Sequence, residues 1–236
     1  RGPGQLWGHK TFPPPARGRR MDALFFDMDG VLVDSEDFWI ASKEAELLEQ
    51  LGDGDITVAE TTGMNYRELY DYLDENYDLT MDREAFLDWY ERTAQRIYSE
   101  EVSILPGAQE LIEAVQAAGV RVGLVSSSPH DWIDIVRERF GLSVDAVISA
   151  DAIDQPAKPE PHVYESVAER LGVEPARCTA VEDSRPGIEA ASRAGMHVLG
   201  FRYGNDDDTD RSEADYVAQS PEGLREYLRS RADATQ

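Results

Sequence analysis

Phe25-Phe26-Asp27-Met28-Asp29-Gly30-Val31-Leu32-Val33-Asp34-Ser35 decides how this chain is read. The apolar run Ala23 to Phe26 reads as a short buried strand bounded by turn signals. It runs directly into two carboxylates spaced i, i+2, which on extended backbone project to the same side. Gly30 then permits a sharp departure of the chain. Acids at the end of a buried strand are costly unless they hold a metal or do proton chemistry. One such carboxylate can act as nucleophile and the other as general acid and base. The plainer alternative is a polar loop that follows a strand, so the rest of the chain has to choose.

After Leu105-Pro106-Gly107 the hydrophobic pattern alternates between helix and strand. Helices are expected at Ala108–Ala118, His130–Phe140, Pro161–Leu171, Pro186–Ala194 and Pro221–Leu228. Strands are expected at Val120–Val125, Ala146–Ile148, Cys178–Val181, Met196–Phe201 and Asp215–Val217. Such alternation predicts an α/β fold, a doubly wound parallel sheet covered on both faces. Ligands in such sheets bind beyond the carboxyl ends of the strands. Between Ser35 and Leu105 the pattern is helical throughout. Phe38, Trp39, Ala45, Leu48 and Leu51 mark one helix, Leu69, Tyr72 and Leu73 a second, and Phe86, Leu87, Tyr90 and Ile97 a third. The expected division is therefore a basic tail at 1–20, a core formed by 21–34 and 105–236, and a helical insertion at 35–104. The tail is rich in Pro, Gly and Arg and has no period of either kind, which reads as disorder. Its Arg19-Arg20 pair lacks the long apolar stretch of an export signal.

The 236 residues hold 47 acids and 23 Lys or Arg, a formal net charge of −24. Five of those bases and none of the acids fall in the first twenty residues. The rest of the chain is more acidic still, which excludes a nucleic-acid partner for the folded part. Only Lys10, Lys43 and Lys158 are lysines. An acid-rich, lysine-poor surface suits a salt-filled cytoplasm, where screening removes self-repulsion, so a halophilic intracellular protein is expected. The single cysteine, Cys178, reads as a small core residue, compatible with a reducing compartment. No apolar stretch approaches membrane-spanning length.

Four strand ends carry polar residues that fit one chemistry. Asp27 and Asp29 are the first. Ser126-Ser127-Ser128 follows the strand Val120–Val125. There Ser126 and Ser127, with free backbone N–H groups, can hold a phosphate, although a serine cluster of this kind also simply caps a helix. Lys158 lies in Gln155-Pro156-Ala157-Lys158-Pro159-Glu160-Pro161, between prolines that stiffen the backbone. In a chain that has almost abandoned lysine, it is placed to neutralise a carboxylate and a phosphoryl group together. The alternative is a solvated loop lysine. Glu182-Asp183-Ser184 follows Cys178–Val181, and its acids suit a hard cation such as Mg²⁺ or, more plainly, a charged helix start.

In order and spacing these residues resemble the haloacid-dehalogenase-like superfamily of phosphohydrolases. The likeness is carried by Asp27-Met28-Asp29-Gly30-Val31-Leu32-Val33-Asp34-Ser35, then Ser126, then Lys158-Pro159, then Glu182-Asp183-Ser184 with Gly187 and Ala190-Ala191…Ala194-Gly195-Met196, and it spans residues 22–228. The insertion after the first motif resembles the helical cap of the branch that contains β-phosphoglucomutase and many small-molecule phosphatases. The resemblance implies a Rossmann-like core and a Mg²⁺-dependent phosphatase of a small phosphorylated metabolite. It implies that Asp27 forms an aspartyl-phosphate and that Asp29 protonates the leaving oxygen and then helps activate water. Mg²⁺ would be held by the Asp27 side chain, the Asp29 carbonyl and Asp183, with Glu182 as neighbour or additional ligand. Ser126 and Lys158 would bind the transferring phosphoryl group, and a closing cap would exclude water and choose the substrate.

The second reading is a sugar phosphomutase of the β-phosphoglucomutase type. Members of that class are expected to carry a histidine five residues after Asp34, where this chain has Trp39. Gly63-Met64-Asn65-Tyr66-Arg67 resembles the branch's specificity loop, with Arg67 a candidate for a second anionic group or, more plainly, a helix-start arginine. A dehalogenase needs neither Asp29 nor the metal acids. A phosphonate hydrolase usually lacks the second Asp, which leaves Lys43 without that role. A non-catalytic metal-binding module is the remaining class. Its best support, Asn205-Asp206-Asp207-Asp208-Thr209-Asp210, lacks the Gly and distal Glu of an EF-hand and reads as a solvated acidic loop. His130 reads as a surface residue at a helix start, and His162 and His197 as structural.

Overall fold

The computed structural model describes residues 21–51, 66–77, 79–202 and 209–233. The tail at 1–20, the loop residues Gly63, Met64 and Asn65, and Asn205 to Asp208 lie outside them. Six strands form one parallel sheet: β1 (Ala23–Phe26), β2 (Arg121–Ser126), β3 (Ala146–Ser149), β4 (Cys178–Glu182), β5 (His197–Phe201) and β6 (Tyr216–Ala218). Their spatial order is β3-β2-β1-β4-β5-β6, with every pair parallel. β1 is central, and the chain builds outward from it first on one side and then on the other. This is the switch point at which doubly wound sheets bind ligands.

The strand pleat sorts the core into two layers. Leu24 and Phe26 pack in one hydrophobic cluster with Val122, Leu124, Val181 and Leu199. Ala23 and Phe25 point into the other, with Val125, Ala180, Val198 and the buried Cys178. Helices α4 (Ala108–Ala117), α5 (His130–Phe140), α6 (His162–Leu171), α7 (Arg185–Arg193) and α8 (Pro221–Asp233) cover the two faces. α7 begins one residue before Pro186 because the Ser184 hydroxyl caps it, accepting from Gly187 N–H at 3.2 Å. Pro161 caps α6 rather than opening it.

The segment between β1 and β2 is helical: α1 (Glu36–Ser42), α2 (Tyr66–Asn76) and α3 (Arg83–Arg96). Its periodicity is broken in two places. α1 widens into a π turn at Lys43–Leu47 and closes with a 3-10 turn at Leu48–Gln50, and α3 runs into a π turn at Ile97–Glu101. The two connections to the sheet run side by side. Leu105 N–H donates to Leu32 O at 2.8 Å, and the Asp34 carboxylate accepts from Ser103 N–H at 2.5 Å. No helix among the described residues is long and apolar enough to cross a membrane.

Candidate active site

The strand ends bring the sequence candidates together. Phe26 pairs with Leu124 of β2 and Val181 of β4, so Asp27 emerges level with the ends of both neighbours. Its N–H continues the ladder to Val181 O at 3.0 Å, which fixes the backbone from which its side chain projects. Ser126 and Glu182 are the last residues of β2 and β4 rather than the first residues of loops. Lys158 reaches in from the loop before α6. Its Nζ donates at 2.6 Å to Asp27 Oδ1 and at 2.6 Å to Glu182 Oε1. The Lys158 side chain is 7% exposed and that of Glu182 is wholly buried. Glu182 Oε1 also accepts from the Tyr164 hydroxyl on α6, and its Oε2 lies 3.4 Å from Ser184 Oγ. Tyr164 therefore belongs to the site, although helical periodicity reads it as core.

Asp29 faces the helical segment. Oδ1 accepts from Ser35 Oγ at 2.5 Å and from Tyr98 Oη at 2.8 Å, while Oδ2 accepts from Ser128 Oγ at 3.0 Å. Ser128 N–H donates to Ser126 Oγ at 3.0 Å, and Ser128 O accepts from Ser149 Oγ at 2.7 Å. In the serine run, Ser126 and Ser128 are buried and Ser127 is exposed. Ser128 is thus the member of the run that touches Asp29, a contact that local spacing could not reveal.

Oxygen atoms of Asp27, Glu182 and Asp183 lie within 4.8 Å of one another. Two glycines make room for them. At Gly30, where φ is +73°, a Cβ would overlap the Asp183 carboxylate, and at Gly187 a Cβ would overlap that of Glu182. Burial, with Glu182 and Glu36 nearby, pushes the Asp183 carboxyl up to about 8. Burial also holds Asp27 well above the ordinary carboxylate range; Lys158 opposes this, and Glu182, Asp183 and Asp29 reinforce it. Burial disfavours the Lys158 ammonium, but Asp27 and Glu182 outweigh it and raise the group above its usual value. When ionised, the three carboxylates carry more negative charge than Lys158 balances, and crowding of like charges adds to burial in raising Asp27 and Asp183. Converging oxygen donors short of positive charge are what a hard divalent cation such as Mg²⁺ fits.

Above Asp29 lies an aromatic wall. Trp39 of α1 stacks on Tyr90 of α3 with centroids 5.3 Å apart and sits 5.8 Å from Trp132 of α5. Beside it a cavity of about 320 Å³ is lined by Tyr66, Arg67, Glu91, His130, Trp132 and Asp151 among others. Arg67 lies at this cavity and is ion-paired with Asp151, just beyond β3. His130, at the start of α5, is exposed on its rim. Burial pushes the Lys43 amine down to about 8.

The sequence and fold that carry this site are those of a known family. The family of haloacid dehalogenase-like hydrolases matches residues 21–195, and the chain belongs to it. It is 34% identical over 200 residues to hexitol phosphatase B of Escherichia coli, covering 77% of this chain and 83% of that one. It is 30% identical over 216 residues to a phosphorylated carbohydrates phosphatase of Thermotoga maritima, covering 89% and 99%. Among solved structures, β-phosphoglucomutase of Clostridium difficile superposes with a TM-score of 0.70 at 25% identity, covering 90% of this chain and 97% of that one. The protein is therefore an enzyme of the hydrolase class, with the fold its sequence predicts.

Proposed function

We propose that the protein is a Mg²⁺-dependent phosphatase of a small phosphorylated carbohydrate, working through an aspartyl-phosphate on Asp27 beneath a helical cap formed by residues 35–104. The observation that carries this reading is the buried triangle of Asp27, Lys158 and Glu182 at adjacent strand ends. Lys158 is held between the two carboxylates, one on the nucleophile and one with no solvent access. Its ammonium is thereby fixed beside the attacked phosphorus, where charge develops in the transition state.

A carboxylate oxygen of Asp27 attacks phosphorus, and the bond from phosphorus to the leaving oxygen breaks. Asp29 delivers a proton to that oxygen, so the alcohol departs neutral. Water then attacks the aspartyl-phosphate and gives a proton back to Asp29. The bond between phosphorus and the Asp27 oxygen breaks, phosphate is released, and the Asp27 carboxylate is restored. Ser126, whose hydroxyl accepts from Ser128 N–H and keeps its own proton to donate, binds the phosphoryl oxygens together with the N–H of Ser127 at the exposed edge. Asp27 and Asp183, with the Asp29 carbonyl, would hold Mg²⁺, which supplies charge neutralisation at the phosphoryl oxygens. Glu182, already engaged by Lys158 and Tyr164, serves chiefly to hold Lys158. The names of the two curated relatives support a phosphorylated carbohydrate as substrate.

The test is phosphate release from 4-nitrophenyl phosphate and hexitol phosphates in molar KCl. The parent is compared with Asp27→Asn, each with and without Mg²⁺. Release that requires both Asp27 and the metal is expected. Release that persists in the Asp27→Asn protein would overturn the nucleophile assignment.

A further inference from the structure

Tyr98 is the one group from the helical segment's last turn that reaches Asp29. It sits in the π turn Ile97–Glu101 and is 1% exposed. Its backbone is clamped from the core side. Arg139 of α5 donates through Nη1 to Tyr98 O at 2.9 Å and through Nη2 to Glu100 O at 3.1 Å. Its hydroxyl accepts from Trp39 Nε1–H at 3.2 Å and donates to Asp29 Oδ1 at 2.8 Å. The indole can only donate to this hydroxyl, which leaves the phenol proton for Asp29; Ser128 Oγ lies farther away, at 3.5 Å.

A carboxylate oxygen has two lone-pair directions in its plane. At Oδ1 both are engaged, by Ser35 and Tyr98. At Oδ2 one is engaged, by Ser128, and no second donor to it stands among the described residues. We infer that Tyr98, steered by Trp39, is a positioning residue for Asp29: it fills Oδ1 and thereby assigns the transferred proton to Oδ2. The inference rests on the reading of Asp29 as acid and base given above. The Trp39–Tyr98–Asp29 line is a relay of orientation, since the indole can only donate and the phenol passes that direction on. Trp39 occupies the position at which a mutase is expected to carry histidine. Here that position is coupled to the acid through a tyrosine rather than facing substrate with a titratable ring of its own. Tyr98 also stands where the helical segment rejoins the core, so one of the three donors that align the acid comes from the end of that segment.

A purely structural tyrosine and a positioning one differ in how their loss depends on the leaving group. Protonation matters little for a good leaving group and greatly for a poor one. The experiment measures kcat and KM of the Mg²⁺-loaded full chain on 4-nitrophenyl phosphate, phenyl phosphate and a hexitol phosphate. The proteins are the parent, Tyr98→Phe, Trp39→Phe and Asp29→Asn, with thermal midpoints recorded for each. For Tyr98→Phe, kcat should fall about tenfold more on the hexitol phosphate than on 4-nitrophenyl phosphate, with KM nearly unchanged; this is a fraction of the roughly 10²–10⁴ that an acid–base group contributes. Trp39→Phe should show a smaller loss of the same kind, and it decides the matter if Tyr98→Phe fails to fold. Equal losses on all three substrates, or a loss confined to KM, would overturn the role of Tyr98. If Asp29→Asn itself shows no dependence on the leaving group, the acid–base reading falls, and the inference with it. A selective loss in Asp29→Asn beside a uniform one in Tyr98→Phe removes only the inference.

Discussion

Replacing Lys158 by Met removes an ammonium while keeping most of the stem's volume. In the native fold Nζ makes two hydrogen bonds of 2.6 Å to carboxylates, and the side chain is 7% exposed. Hydrogen bonds to charged groups contribute about 1.5–3 kcal/mol each, so two set a ceiling of about 3–6 kcal/mol. Burial already raises the Asp27 carboxyl and the Lys158 charge opposes that shift, so losing the ammonium moves Asp27 further toward its neutral form. Glu182 is fully buried and would keep only Tyr164 and Ser184 as partners. Removing one member of a buried ion pair costs about 3–5 kcal/mol because the other is stranded. The expected loss for Lys158→Met is about 3 kcal/mol. Adding Glu182→Gln removes the stranded charge and leaves Tyr164 an acceptor, so the double variant should recover about 2 kcal/mol. Urea unfolding at pH 7 without divalent cations, followed by tryptophan fluorescence, measures both. Turnover should stay about 100-fold or more below the parent in each variant, because the charge that stabilises the transition state is absent from both. A single variant within about 1 kcal/mol of the parent would refute the reasoning, since that is the scale of an exposed pair. So would a second substitution that deepens the loss.

Gly187→Ala places a methyl group on the Glu182 carboxylate and should lower activity through displaced Lys158, with Gly30→Ala displacing Asp183 and adding strain at its positive φ; Mg²⁺ titration by calorimetry should show weaker binding in the Gly30 variant, and unchanged affinity would count against the packing argument. Burial, joined by Arg231 and opposed by Asp215, pushes the His197 imidazole down to about 4. The unfolded chain therefore binds this proton first, and stability falls as pH drops from about 6.5 to about 4, by up to about 2 kcal/mol once partial exposure is allowed for. In His197→Gln that component is missing, so the difference between parent and variant should change over this window and be constant above it; a difference independent of pH refutes the assignment. With a formal net charge of −24, the folded state should gain thermal stability as KCl is raised to 1 M, and a falling melting temperature would contradict the salt-adapted reading of the surface.

The sheet is legible in the sequence because the signals that define it are local. Ala23–Phe26 alternates between two core layers, and β2, β4 and β5 begin or end within a residue or two of where their apolar runs do. Asp27, Lys158, Glu182 and Asp183 are legible for a related reason: charge at a strand end, or a lysine retained in a lysine-poor chain, is an anomaly of the sequence itself. Tyr98, Tyr164 and Ser128 are not. Each sits on a helical or serine-rich pattern that packing or capping explains completely. The hydrogen bonds that bring them to Asp29 and Glu182 span 69, 18 and 99 residues of sequence. The π turns that break α1 and α3 are equally hidden, because a single widened turn leaves the hydrophobic spacing almost intact. Glu182 reads as a candidate metal neighbour from its place beside Asp183. Its burial under Lys158 and Tyr164 is a fact of tertiary packing, which one-dimensional spacing does not encode.

The same contacts bear on phosphatase against mutase. A sugar phosphomutase has to hold a second phosphoryl group while the first is transferred, which calls for a further cationic site facing the cavity. In this chain the position expected to carry histidine is Trp39, whose one donor is given to Tyr98. Arg67, the arginine at the cavity, is paired with Asp151, and Glu91 and Asp131 line the same space. The sequence leading up to it, residues 52–65, contains Asp53, Asp55 and Glu60 and holds no Lys, Arg or His. A cavity with aromatic walls and acidic edges repels a second phosphate and accepts hydroxyls, which donate to carboxylates and stack their C–H faces on indole and phenol rings. A neutral polyol carrying a single phosphate suits that environment, since Arg67 is paired with Asp151 and only His130, on the exposed rim, adds a further basic side chain among the described lining residues. Under the proposed mechanism, such a cavity favours hydrolysis over a second transfer.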